Sequence, residues 1–243
     1  MKTRTGILVA AAAGIVAGAA SPANADFKLM GFEDLAPGSA VSGFDGWAAW
    51  DDVAAHAGVI TSDIAYDGLN SIKIQGYTDA VQVYSGLTSG QISLSAKQYI
   101  PSGQSGLTYF ILMNDYIPGS NSDGGQWSTQ LRFDLGSGFV RDDFRGGSVP
   151  IVFDSWSDIR VDIDLDADTV AQFYNDTLIA KGSWTRNSRS MLRLSALDLY
   201  SGDKNVTYYD GVSLSGDVPA PSTTGALAIL AAGLALPLRR RMR

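Results

Sequence analysis

Four aspartates at alternate positions have the spacing that most suggests catalysis. They are Asp162, Asp164, Asp166 and Asp168. The first three would line one strand face at intervals of about 7 Å, given a rise of about 3.4 Å per residue. Glycoside hydrolysis uses such a pair of carboxyl groups, one attacking and one donating a proton. Aspartate also serves turns readily, so a solvated strand face followed by an Asp-rich turn is the simpler interpretation.

Aromatic side chains form the second group with a candidate role, since a flat ring packs against the CH groups of a sugar. The candidates are Trp47, Trp50, Trp127, Tyr109, Tyr116 and Tyr174. Aromatic residues on strands usually belong to the core, because each of them buries a large area. Trp47 and Trp50 flank a loop rich in Gly and Asp, so we expect these two to be the exposed, sugar-binding members.

Several kinds of chemistry are excluded by what the chain lacks. Cysteine is absent, which removes disulfides, thiolate metal sites and cysteine catalysis. His56 is the only histidine, so no second one completes a zinc site, and we expect a packed or surface role for it. Residues 26–217 hold 12 basic and all 25 acidic residues, a net charge of −13. Such a surface repels nucleic acid, which we exclude as a partner.

The residue pattern between 26 and 217 predicts strands and turns. Glu33 is the only glutamate against 24 aspartates, and 27 glycines supply turn chemistry. Apolar and polar residues alternate with period two in 71–75, 91–100, 127–133 and 159–166. Only 51–59 suggests a short helix. We therefore expect an all-β domain over 26–217, a two-sheet antiparallel β-sandwich of the jelly-roll type.

The N-terminal 25 residues have the pattern of a signal peptide. Lys2 and Arg4 precede a small, apolar stretch over 6–20, and 23–25 reads Ala-Asn-Ala. This small-x-small pattern predicts cleavage between Ala25 and Asp26.

The C-terminal 26 residues, 218–243, predict a membrane stop. A Pro-rich motif precedes an apolar run over 225–238, expected to be helical, and then Arg239, Arg240 and Arg241. Arginines in this position are held on the cytoplasmic side. The run is shorter than the ~20 residues of a comfortable membrane span. We therefore expect a transient anchor that is cut near Pro221.

This C-terminal arrangement resembles the PEP-type sorting signal of Gram-negative bacteria. The motif consists of Val218, Pro219, Ala220, Pro221 and Ser222, followed by the apolar run and the arginines. Ala220 stands where the family usually has glutamate, so the motif is a variant. The resemblance implies processing by a membrane exosortase and delivery to the cell surface or the exopolysaccharide matrix.

A second resemblance covers most of the domain. Residues 31–34, 66–72, 156–175 and 208–214 are similar to segments of concanavalin A-like and carbohydrate-binding-module jelly rolls. First and last strands commonly pair in a jelly roll, which would bring Glu33 and Asp210 together. The resemblance implies a structural calcium ion at this pair, completed by backbone carbonyls. The alternative is two solvated acids at strand ends.

Together these observations predict an exported, acidic β-sandwich without catalytic residues. Its processing partners would be signal peptidase and an exosortase-like enzyme, with transient contact to the inner membrane. Its destination would be the cell surface or extracellular matrix of a Gram-negative bacterium, with exopolysaccharide as candidate ligand. Two alternatives stay open. One is a secreted jelly-roll glycoside hydrolase, although those enzymes use glutamates where this chain has aspartates. The other is a purely structural matrix protein.

Overall fold

The computed structural model describes residues 24–118, 126–186 and 191–217, which form fifteen strands and one 3-10 turn. The first eight strands are β1 (Asn24–Met30), β2 (Trp47–Ala49), β3 (Val59–Thr61), β4 (Ser71–Gln75), β5 (Asp79–Val83), β6 (Gln91–Tyr99), β7 (Leu107–Asp115) and β8 (Gln126–Asp134). The others are β9 (Phe139–Asp142), β10 (Gly146–Pro150), β11 (Trp156–Asp164), β12 (Thr169–Tyr174), β13 (Thr177–Ser183), β14 (Ala196–Ser201) and β15 (Val206–Asp217). The 3-10 turn covers Ala54–His56, within the stretch where a short helix was expected.

The described strands form two sheets, and all strand pairs within each sheet are antiparallel. The larger sheet has the order β13-β12-β11-β6-β15-β4-β3, with β1 also pairing with β15. The smaller sheet has the order β10-β9-β8-β7-β14-β5-β2. The predicted all-β, two-sheet sandwich is confirmed.

Period-two alternation decides which side chains fill the space between the sheets. On β11, Ile159, Val161 and Ile163 are buried, and on the neighbouring β6 Ile92 and Leu94 are buried too. Each such side chain contributes roughly 1.5–3 kcal/mol when fully removed from water. The residues between them in sequence face outward, and they form the outer face of the larger sheet.

The predicted pairing of first and last strands is confirmed. Strand β1 pairs with the second half of β15, and β4 pairs with its first half. Ala25 and Asp26, the predicted cleavage pair, lie within β1, and their cleavage stays a prediction. The sorting motif and the terminal arginines lie outside the described residues.

The aspartate row is shorter than predicted. Strand β11 ends at Asp164, so Asp166 lies in the following turn and not on the strand face. Asp168 has a left-handed backbone with φ of 53°, and its carboxylate accepts hydrogen bonds from Ser183 and Thr185. These contacts join the turn between β11 and β12 to the end of β13.

Over the part of the chain that the structure describes, no helix has the length and apolarity needed to cross a membrane.

Candidate functional site on the larger sheet

A row of large side chains crosses the outer face of the larger sheet at one end. Trp156 on β11, Tyr99 on β6, Tyr208 on β15 and Lys73 on β4 are consecutive cross-strand partners. The ring centroids lie 5.6 Å apart for Trp156 and Tyr99, and 6.2 Å apart for Tyr99 and Tyr208. All three rings are only partly buried. Cross-strand aromatic neighbours at this spacing stabilise one another and keep their orientation.

Tyr66 adds a fourth ring from a loop above the row. Its centroid lies 5.9 Å from that of Trp156 in an edge-on arrangement, and the side chain is 50% exposed. The Lys97 ammonium lies 4.6 Å from the ring centre of Tyr66, within the range of a cation–π contact. We call Tyr66, Tyr99, Trp156 and Tyr208 the aromatic patch. It offers ring surface to solvent at a defined place on a rigid sheet.

Two carboxylates hold the loop that carries Tyr66, which we call the Tyr66 loop (residues 66–70). Asp210 accepts hydrogen bonds from the backbone N–H groups of Tyr66 and Asp67, at 2.8 and 3.2 Å. Glu33 accepts from those of Leu69 and Asn70, at 3.1 and 2.9 Å. Because these acceptors are charged, each bond is stronger than a neutral one. The two acids therefore fix the backbone of the loop.

Gly68 lets the loop approach Glu33 closely. Its φ is +66°, and a Cβ there would lie 2.6 Å from Cδ and Oε1 of Glu33. Only glycine tolerates both the backbone angle and the contact. Gly68 thus belongs to the same anchor as Glu33 and Asp210.

The topology brings Glu33 and Asp210 together as expected, but their contacts differ from those of a metal site. Burial raises the pKa of Asp210, and the nearby charge of Glu33 adds to this, while N–H donors act in the opposite direction. The N–H groups direct their positive ends at the carboxylate oxygens that a cation would need. Calcium takes roughly six to eight oxygen ligands, so it would need these oxygens and several more. Within the described residues, no group of three or more His, Asp or Glu side chains could hold a metal ion. The loop N–H groups thus already occupy oxygens of Glu33 and Asp210 that calcium would need. Calcium binding at this pair stays a prediction.

A groove of about 1130 Å³ occupies the other end of the same face. It crosses β15, β6, β11, β12 and β13, and its polar lining includes Gln91, Ser93, Asp162, Asp164, Thr169 and Ser215. The Ser93 hydroxyl donates to Asp162 at 2.8 Å, and the Gln91 amide donates to Asp164 at 3.0 Å. Carboxylates and hydroxyls arranged like this can accept and donate hydrogen bonds to the hydroxyl groups of a ligand.

The aromatic patch and the groove are two ends of one surface. Trp156 and Asp164 are the first and last residues of β11, and the strand spans about 27 Å between them at about 3.4 Å per residue. Between these ends, Ser95 and Ser213 hydrogen bond to each other across β6 and β15 at 2.7 Å. The face therefore offers rings at one end and polar groups along the rest.

The prediction that Trp47 is exposed is wrong. Its side chain is 2% exposed, and its ring packs against Phe32 with centroids 6.0 Å apart. The indole N–H donates to the sulfur of Met30 at 3.2 Å. The Gly- and Asp-rich segment before it is a turn that leads into β2, so Trp47 faces the core. A ring so buried cannot stack on a sugar.

Trp50 lies on the opposite side of the molecule from the aromatic patch. It packs against Tyr116, with centroids 5.2 Å apart, over the outer face of the smaller sheet. Its sugar binding stays a prediction, but it does not join the groove.

The other residues singled out from the sequence do not join the site either. Tyr174 packs on Phe133 in the core, Tyr109 stacks on Tyr200, and Trp127 is 45% exposed on β8. His56 is a surface residue, in contact with Asp51 at 2.7 Å. None of these side chains lies on the outer face of the larger sheet.

Sequence reasoning missed all four members of the aromatic patch. The sequence did contain a pattern that predicts an outward-facing Trp156. It lies an even number of residues before Arg160 and Asp162 on β11, so it faces the same side of the sheet as they do. Tyr66 gave no such signal. Its position depends on acids 33 residues before it and 144 residues after it in the chain.

The fold and this face define a jelly-roll β-sandwich with an open groove at one end of a sheet face and an aromatic patch at the other. No protein-family model and no curated protein sequence matches the chain. Among solved structures, a sialidase is similar with a TM-score of 0.54 and 8% identity, over 79% of this chain and 18% of its own. The chain thus spans less than a fifth of that protein, and at such identity the likeness shows the fold alone.

Two smaller proteins are similar at lower scores. The alginate lyase AlgAT5 from polysaccharide lyase family 7 has a TM-score of 0.49 and 7% identity, over 76% of this chain and 100% of its own. The carbohydrate-binding module CBM66 from Bacillus subtilis has a TM-score of 0.46 and 12% identity, over 71% and 96%.

Proposed function

We propose that this protein is an exported, non-enzymatic β-sandwich that binds polysaccharide through the outer face of its larger sheet. The observation that carries the proposal is the aromatic patch, in which four rings are held by strands and by an anchored loop on the same sheet face as a polar groove. Partly exposed rings are costly to leave in water, so a grouped set of them indicates a binding surface. Rings with a few polar groups beside them suit a sugar, which has apolar CH faces and a rim of hydroxyls.

Its place outside the cell is part of the same proposal. The pattern of 1–25 and the PEP-like motif at 218–222 support export, processing by an exosortase-like enzyme, and delivery to the cell surface or extracellular matrix. The net negative charge of the domain favours solubility there. A polysaccharide matrix would also supply the ligand.

Retention of the purified chain in gels that contain polysaccharides tests this function. Tyr66→Ala and Trp156→Ala should each weaken retention about tenfold, because each removes ring surface from the patch. Trp127→Ala and Tyr77→Ala are matched controls, since both residues are exposed and lie outside the patch. They should leave retention unchanged. Equal losses in the controls would refute the site, and a loss only in Trp50→Ala would move it to the smaller sheet.

Hydrolysis is a second candidate, because Asp162 and Asp164 both line the groove. Two carboxyl groups beside a bound sugar could act as nucleophile and acid. This function predicts release of new reducing ends from a retained polysaccharide and loss of that release in Asp164→Asn. Retention without any release supports the binding function. Absence of both supports the purely structural alternative.

A further inference from the structure

We infer that the ligand of this face is a neutral polysaccharide chain that lies along β6 and β11 over the full length of the face. The inference rests on the proposed function and deepens it in two respects, the charge of the ligand and its length. The first follows from the ion pairs of the face and the second from its geometry.

The cations beside the patch and along β11 already have anionic partners. Each of three basic side chains forms an ion pair with an aspartate, namely Lys73 with Asp63, Lys97 with Asp158, and Arg160 with Asp162. A uronate or sulfate group would have to displace these aspartates to gain a counter-charge. Lys181 lies at the groove, but Asp164 lines the same groove. The face therefore offers no excess of positive charge to an anionic ligand.

Long-range electrostatics acts in the same direction. Residues 26–217 carry a net charge of −13, and a polyanion that approaches such a domain is repelled before it makes contact. A neutral chain avoids this repulsion. Its hydroxyl groups can donate hydrogen bonds to the carboxylates of Asp162 and Asp164, which an anionic group cannot do.

The shape of the site indicates an extended ligand. The groove crosses five strands at one end of the face, and two of those strands, β6 and β11, carry Tyr99 and Trp156 of the aromatic patch at their other end. The two ends lie about 27 Å apart along β11, so one sugar unit reaches only one of them. A chain of several units contacts both. Affinity should therefore rise with chain length until the ligand spans the face.

A paired retention experiment tests the charge. The purified full chain is run in gels that contain a neutral polysaccharide (β-glucan, xylan or mannan) or a polyuronate (alginate or polygalacturonate), at low and high salt. We expect retention by at least one neutral polymer, with the same strength at both salt concentrations. Retention by a polyuronate alone would overturn the inference and leave the proposed function standing. Retention by no polymer would instead refute the proposed function.

Oligosaccharides of increasing length, prepared from the retained polymer, test the second part. We expect the monosaccharide to compete at least a hundredfold more weakly than a chain that spans the face. Trp156→Ala and Asp164→Asn should each weaken polymer binding, and their effects should multiply, because sites this far apart act independently. Trp127→Ala is the control and should bind as wild type. Equal competition by monosaccharide and polymer, or an unchanged Asp164→Asn, would overturn the extended site.

Discussion

A buried pair of carboxyl groups on the smaller sheet makes the stability of this protein depend on pH. Asp198 on β14 and Asp79 on β5 are diagonal neighbours, since Asp198 pairs with Val81 and Asp79 with Tyr200. Asp198 is only 4% exposed. Burial raises the pKa of Asp198 well above its usual value, and the charge of Asp79 raises it further. Burial also raises the pKa of Asp79. The pair therefore shares a proton at a pH where two solvated aspartates would have lost both.

The sign of the pH effect follows from proton counting. Above about pH 4, the folded pair binds more protons than the unfolded chain, so the free energy of unfolding falls as pH rises. This contribution is fully present below the unfolded pKa and is lost as the pH passes the folded pKa of the pair. Each unit by which the pKa of Asp198 is raised corresponds to about 1.4 kcal/mol at high pH. The charge of Asp51 also raises the pKa of Asp79 and His56 lowers it, each by less than burial does.

Asp198→Asn tests this account, because it keeps the side-chain shape and replaces the shared proton by an amide N–H that does not titrate. We expect the variant to gain stability relative to wild type as pH rises from 4 to 8. A gain of 1 kcal/mol would raise the melting temperature by roughly 2–4 °C. Urea unfolding followed by tryptophan fluorescence at several pH values measures it. Asp176→Asn, at a side chain 96% exposed, is the control. A difference that does not grow with pH, or a variant less stable at pH 8, would refute the reasoning.

Two further predictions concern the anchor of the Tyr66 loop. Gly68→Ala should weaken glycan retention, because its Cβ would collide with Glu33, whereas Gly38→Ala, at φ +89° with open space around it, should only cost about 1 kcal/mol of stability. Unchanged retention in Gly68→Ala would show that the loop does not position Tyr66 for binding. Chelation by EDTA should leave the melting temperature unchanged, since N–H groups already satisfy Glu33 and Asp210. A drop that added calcium reverses would instead establish the metal site.

Sequence reasoning predicted the sandwich because the information needed for it is local. Alternation over β11 fixes which side chains face the core, and the turns at both ends of β12 fix its partners. The strands β1, β2, β3 and β10 were missed. Strand β1 begins within the segment that was assigned to the signal peptide. Strands β2 and β3 have only three residues each and β10 contains two glycines, which is too little pattern for a period of two to be recognised.

The binding face could not be predicted in the same way, because exposure of a ring depends on contacts distant in sequence. Trp47 follows a turn, as an exposed loop residue would, yet β2 pairs with β5 and directs its ring into the core. Trp156 begins a strand, as a core residue would, yet its parity directs it outward. Local composition therefore favoured the wrong tryptophan of the two, and only the sheet register corrects it.

Glu33 and Asp210 show how far topology alone can go. The rule that first and last strands pair was sufficient to bring the two acids together across 177 positions of the chain. The pairing of first and last strands does not predict which groups contact the two acids. In the structure, backbone N–H groups of the Tyr66 loop do so. An acid pair at this point of the fold can bind a cation or accept hydrogen bonds from N–H groups. Here the donor is a loop that carries Tyr66 into the aromatic patch, so the same two residues link the loop backbone to the surface proposed to bind polysaccharide.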